Sequence, residues 1–233
     1  MNPFSIETTT SKQAVFMNRV YAWMSGALLV TAFVAWWAAT TPAFLNVLFP
    51  PEGGINKLLF YGLIGAEIGL VFWISARIQK MTSERASLLF VIYAILNGLT
   101  LSTLFIAYTT GSIASTFFVT AGTFGAMSLY GYTTKKDLSS WGNILFMALI
   151  GLIISSLVNI FLQSSTFYWI VNSIGVLVFV GLTAYDTQKI KQMANQMNSE
   201  EEAKKGAVIG ALSLYLDFIN LFIFLLRFLG DRR

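Results

Sequence analysis

Seven stretches of mostly apolar residues divide this chain, at 18–40, 58–78, 87–108, 112–133, 143–163, 167–188 and 207–228. Each reaches the length of about 20 residues that a helix needs to cross a bilayer core. In lipid a helix satisfies its own backbone hydrogen bonds, so helices are the expected element throughout. The fold class that follows is an all-α integral membrane protein, a seven-transmembrane helix bundle over 18–228. An amino-terminal tail, 1–17, precedes it and a short carboxyl tail, 229–233, follows. The four prolines, Pro3, Pro42, Pro50 and Pro51, all lie outside the spans, as unbroken helices require. The first span is too long and too well flanked by aromatic residues for a cleaved signal, so we expect an uncleaved anchor. No appended soluble domain and no internal repeat are expected.

Charge sets the expected orientation. Lys12, Arg19, Arg77, Lys80, Arg85, Lys135, Lys136, Lys189, Lys191, Lys204 and Lys205 all fall on one side, whereas the opposite loops carry only Lys57. Basic residues gather on the cytoplasmic face, so the amino terminus is expected in the cytoplasm of a plasma (bacterial inner) membrane. Seven spans then put the carboxyl terminus outside, against the sign of Arg227, Arg232 and Arg233. The alternative is a re-entrant last segment that returns to the cytoplasm. Trp23, Trp36, Trp37 and Trp169 read as interfacial belts, and Gly65 and Gly69 as a helix-packing pair.

The chain has no cysteine and no histidine. That removes thiolate chemistry, the commonest metal ligand and the one side chain that titrates near neutrality unaided. With 56% hydrophobic and 11% charged residues, against about a quarter charged in soluble domains, nucleic-acid partners are excluded too. Any response to pH must come from carboxylates. Glu67, Asp186 and Asp217 lie inside spans, where a charge costs roughly 2.5–3.5 kcal/mol on insertion scales. On the last span Gly206, Gly210, Ser213, Asp217, Asn220 and Arg227 share about 100° of arc at 100° per residue. On the sixth, Asn172, Gly175, Thr183 and Asp186 share about 80°. Two interior polar stripes with one aspartate each are compatible with a carboxylate pair. By depth, Arg77 could pair with Asp186 at the cytoplasmic end and Glu67 with Arg227 at the other, giving two latches around a central acid.

The run Ala211-Leu212-Ser213-Leu214-Tyr215-Leu216-Asp217-Phe218-Ile219-Asn220-Leu221-Phe222 closely resembles the carboxyl-terminal signature of the Bax inhibitor-1 (TMBIM) family. Ala184-Tyr185-Asp186-Thr187-Gln188 resembles that family's sixth-span aspartate motif. The stretch Ala114–Ser139, with Gly125–Tyr132 followed by Thr134–Leu138, is similar to its bacterial inner-membrane members. The resemblance implies six helices around a central seventh, and a pH-sensitive calcium leak channel. In such a channel two aspartates share a proton and a basic residue pairs with one of them. Asp186 and Asp217 match the aspartates, and Glu67 and Arg227 match a second pair. The family's basic residue aligns within one position of Arg77.

The physical account fits that implication. Two carboxyls close together in a low-dielectric interior cannot both ionise cheaply and share a proton. Once that proton leaves, they form an oxygen site for a hard cation. Two carboxylates fall short of a calcium ion's six to eight oxygens, so weak binding is expected, with Ser213, Asn220 and water supplying the rest. Calcium and protons are the expected partners beside the bilayer; no tightly bound cofactor and no catalytic residue are expected. A regulator of a membrane protease or stress response, transporting nothing, is the alternative. An intramembrane aspartyl protease fits poorly. That class uses Gly-x-Gly-Asp, where this chain has Leu214-Tyr215-Leu216 before Asp217 and lacks the close backbone approach that glycine allows.

Overall fold

The computed structural model describes residues 3–51 and 53–233, with side chains from Lys12 onward apart from position 52. The helices are α1 (Pro3–Thr40), α2 (Pro42–Leu48), α3 (Lys57–Arg77), α4 (Ser83–Ala107), α5 (Thr110–Thr133), α6 (Ser139–Leu162), α7 (Ser165–Met193) and α8 (Glu200–Leu229). All but α2 are long and apolar enough to cross a membrane, which makes seven candidate spans among the described residues. The protein is thus an all-α, multi-pass membrane protein.

Helix limits extend past the apolar runs because the capping residues are polar and sit outside them. Asn56, Thr82 and Ser164 each accept a backbone N–H of the first turn, from Leu59, Arg85 and Phe167 in that order, which satisfies one of the orphaned donors at a helix start. The segment before the first span is itself helical, since α1 runs from Pro3 to Thr40. The sequence reading also passed over α2, whose Pro42 stands in the first turn, where a missing N–H leaves no bond unmade. The last segment, α8, is one continuous helix of 30 residues, without the break that a re-entrant segment would need.

Two compact units make up the chain. The first runs to Thr109 and takes up Gln196–Leu212 and Arg232–Arg233; the second comprises Thr110–Asn195 and Ser213–Asp231. Helix α8 therefore belongs to both, its amino-terminal half to the first and its carboxyl-terminal half to the second. It is the most buried of the seven spans, as the resemblance led us to expect of the last helix.

In the first unit α4 packs on α1. Gly98 permits the approach: a Cβ there would come 2.8 Å from the carbonyl oxygen of Thr31. The Thr31 hydroxyl in turn donates to the Ala94 carbonyl at 2.9 Å. The start of α8 is clasped to the same unit. Glu201 accepts the Ser83 backbone N–H at 2.6 Å and its hydroxyl at 2.8 Å, and Arg19 pairs with Glu200 at 2.7 Å. Gly65 and Gly69 do not act as expected, for a Cβ at either would meet nothing within 4 Å among the described residues.

In the second unit α7 lies between α5 and α6. Ser128 of α5 and Thr187 of α7 share a buried hydroxyl hydrogen bond of 3.1 Å. At Gly131 the α5 backbone comes so near the Ala184 carbonyl that no side chain fits. Gly142 of α6 likewise lies directly against the Tyr185 ring. Gln188 fixes the α5–α6 loop, accepting the Leu138 N–H at 2.8 Å and donating to the Lys136 carbonyl at 2.8 Å. In that loop, hydrogen bonds from the Ser139 hydroxyl and then its backbone N–H hold the Asp137 carboxyl below the usual carboxylate range.

Candidate functional site

One face of α7, the carboxyl-terminal half of α8 and the inner face of α6 enclose a cleft of about 590 Å³ in the second unit. Helical spacing positions its polar groups. Asp186 and Lys189 are three residues apart on α7, hence on one face. Ser213, Asp217 and Asn220 recur at intervals of four and three on α8, and Asn143 projects from the first turns of α6. Phe146, Leu149, Ile153, Phe179, Leu182 and Leu216 complete the wall.

Within the cleft the Ser213 hydroxyl donates to Asp186 Oδ2 at 2.5 Å. The Asn220 side-chain amide donates to the Leu216 carbonyl of its own helix at 2.8 Å, so its Oδ1 is the acceptor that remains for a ligand. Asp217 is only 5% exposed, and its Oδ2 has no hydrogen-bond partner among the described residues. A buried carboxylate oxygen without a partner carries a large desolvation penalty. The group is therefore either neutral or served by water, a proton or a cation. Asp186 and Asp217 line the same cleft.

The structure thus brings together four residues singled out from the sequence: Asp186, Asp217, Ser213 and Asn220. The remaining three are distributed between the units. Arg77 ends α3 and Glu67 lies within it, both in the first unit, and Arg227 is in the second with Asp186. Each expected latch would join a residue of one unit to a residue of the other. Within its own unit, Glu67 accepts hydrogen bonds from the Thr100 hydroxyl at 2.5 Å and the Asn97 amide at 3.0 Å. Arg227 places its guanidinium 5.6 Å from the centroid of the Phe224 ring.

Three cleft residues escaped the sequence reading. Lys189, with its ammonium 5.8 Å from the Tyr185 ring centroid, had been counted only as a cytoplasmic anchor. Its spacing from Asp186 was the available signal. Asn143 sits close to the loop, where a polar residue attracts no notice. Tyr185 belonged to the quoted motif, but only the contact with Gly142 shows how it is seated. As a cation site the cleft offers two carboxylates, a hydroxyl and two amides beside a lysine. No group of three or more His, Cys, Asp or Glu side chains that could hold a metal occurs among the described residues.

The comparisons with known proteins agree with this architecture. The family model described as "Inhibitor of apoptosis-promoting Bax1" matches residues 13–233. The chain is 56% identical over 220 residues to the inner membrane protein YbhL of Escherichia coli K12, covering 94% of this chain and 92% of that protein. It is 44% identical over 234 residues to an uncharacterised protein of Borreliella burgdorferi, covering 98% and 99%. With one of Rickettsia prowazekii it shares 43% over 233 residues, covering 97% and 96%. A match over almost the whole chain, including both aspartate-bearing helices, shows that this membrane protein belongs to the Bax inhibitor-1 family.

Proposed function

We propose that the protein lets cations, calcium foremost, leak across the membrane along a path controlled by Asp186 and Asp217 and by a proton they share. The observation that carries this reading is the unpartnered Oδ2 of buried Asp217, in a cleft that also holds the carboxylate of Asp186. Two carboxyls in one poorly solvated cleft favour the singly protonated pair. Loss of that proton leaves two negative charges that only a cation can balance there. Calcium is the substrate of this reading, met by the carboxylates, the Ser213 hydroxyl and the amide oxygens of Asn143 and Asn220, with water making up its shell. Lys189 at the rim keeps the site from holding the ion tightly. In this reading the protein has no catalytic residue and no resident cofactor, and its amino terminus faces the cytoplasm.

The sign follows. Cation occupancy requires the deprotonated pair, so flux rises with pH. Proteoliposomes loaded with a calcium dye test this between about pH 5 and about pH 8, the window in which a shared carboxyl proton can titrate. We expect flux to increase several-fold across that window. Asp217→Asn and Asp186→Asn should each flatten the dependence, because a single carboxylate has no proton to share. No flux at any pH would favour a regulator that transports nothing. Flux with the wild-type pH profile in both Asn variants would remove the carboxylate pair from the mechanism.

A further inference from the structure

The polar stripe of α7 does not end at the cleft. Asn172 and Gly175 lie on the face that carries Phe179, Leu182 and Asp186, at intervals of three and four residues. Asn172 is 1% exposed, and its Nδ2 has no hydrogen-bond partner among the described residues. Thr116 of α5 is equally buried, at 1%, and its Oγ1 also lacks one. On the same pair of helices, Ser128 and Gly131 of α5 meet Thr187 and Ala184 of α7. Asn172 thus forms a buried polar station about 20 Å along α7 from Asp186, at 1.5 Å per residue. Native interiors seldom leave such groups unserved, and water is the usual partner.

Rings separate this station from the cleft. Phe179, in the cleft wall, stacks on Phe224 of α8 with centroids 5.7 Å apart and planes inclined by 29°. Phe224 lies flat on Gly175, where a Cβ would come 2.5 Å from ring atoms Cδ1 and Cε1. The Arg227 guanidinium, 5.6 Å from the ring centroid, bears on Phe224 as well. A ring seated on a glycine meets no side chain that would fix it from below. Apolar constrictions of this kind block ions and water by dewetting.

We propose that Phe224, seated on Gly175 and stacked on Phe179, is the gate of a polar path that runs along one face of α7 from the Asp186–Asp217 cleft to Asn172. The gate rests on the conduction reading for its purpose, but its existence can be tested without measuring flux. The chain has no cysteine, so a single introduced thiol reports on water access without background.

Asn172→Cys in proteoliposomes, with a charged thiosulfonate reagent on both faces, should label slowly. Adding Phe224→Ala should speed labelling by about tenfold or more, as removal of a dewetting constriction would. Gly175→Ala, whose methyl displaces the ring without deleting it, should do the same. Leu177→Cys, on the apolar surface of the same helix at 70% exposure, should remain unlabelled in every background, which separates gating from unfolding. Labelling of Asn172→Cys that is fast without the second substitution, or unchanged by both, overturns the gate. Accelerated labelling in a protein that passes no calcium keeps the gate and discards the conduction reading. Calcium flux with unresponsive labelling does the reverse.

Discussion

At the scale of single residues, the acids were legible because the membrane makes them conspicuous. Asp186, Asp217, Ser213 and Asn220 fell on helical faces that the structure assembles into one cleft, since a polar stripe on an apolar helix has to face inward. Lys189 was misread for the converse reason. Near a membrane surface every lysine is explained by topology alone, and nothing in its type distinguishes an anchor from a cleft residue. Glycines were read least well. Gly65 and Gly69 resemble a packing motif and meet open space, whereas Gly131, outside any such four-residue spacing, lies against the Ala184 carbonyl. Spacing cannot say which face of a helix will meet a backbone. The structure makes that difference measurable within α5. Gly131→Ala should destabilise the protein by about 1–3 kcal/mol, the usual range for overpacking a filled interior, because its methyl meets backbone that cannot rotate away. Gly125→Ala, with nothing within 4 Å of its Cβ, should be neutral or slightly stabilising, since alanine is the better helix former. Denaturation in detergent compares them, and equal midpoints would refute the assigned contact.

At the scale of elements, hydropathy located the seven spans because length and apolarity are what a bilayer selects. It could not find α2, which is apolar but only seven residues long, or the start of α1, which is polar. The polar ends of helices were equally silent, yet they hold the structure's most specific contacts. Glu201 binds both the backbone N–H and the hydroxyl of Ser83, completing the capping of α4 from a position 118 residues away in the sequence. Nothing local in the acidic run Glu200–Glu202 reveals so distant a donor. Two neighbouring contacts of this clasp should differ in weight. Arg19–Glu200 is an exposed ion pair, a kind that contributes little once side-chain ordering and salt screening are counted. Glu201 instead satisfies a backbone donor that would otherwise be orphaned at a helix start. Glu201→Ala should therefore lower the unfolding midpoint measurably and Arg19→Ala much less. The opposite order would show that the charge pair, not the cap, fastens α8.

At the scale of the whole molecule, one helix is common to both compact units, with Glu201 at one end and the aspartate site in its other half. The carboxyl tail that follows has its own fastenings. The Arg233 N–H donates to the Ala107 carbonyl at 3.1 Å, the Arg232 guanidinium lies 5.9 Å from the Tyr108 ring centroid, and the Asp231 N–H donates to Ser112 Oγ at 3.0 Å. These contacts bear on the one conflict in the charge pattern. Eleven basic residues favour a cytoplasmic amino terminus, while an uninterrupted α8 then carries three arginines to the far side. Arg227 and Arg232 each rest on an aromatic ring, a contact worth about 0.5–2 kcal/mol according to its exposure. The tail is thus held by local partners and need not follow the charge rule, which acts mainly through the earlier loops. Orientation then becomes a direct prediction. In intact spheroplasts a membrane-impermeant maleimide should label Lys57→Cys and Arg233→Cys. Asp137→Cys, in the exposed α5–α6 loop, should react only after permeabilisation. Labelling of Asp137→Cys alone in intact cells would invert the protein and move the Asp186 end of the cleft to the outer face. It would also reverse the side of the membrane from which the proposed carboxylate pair would take up its proton.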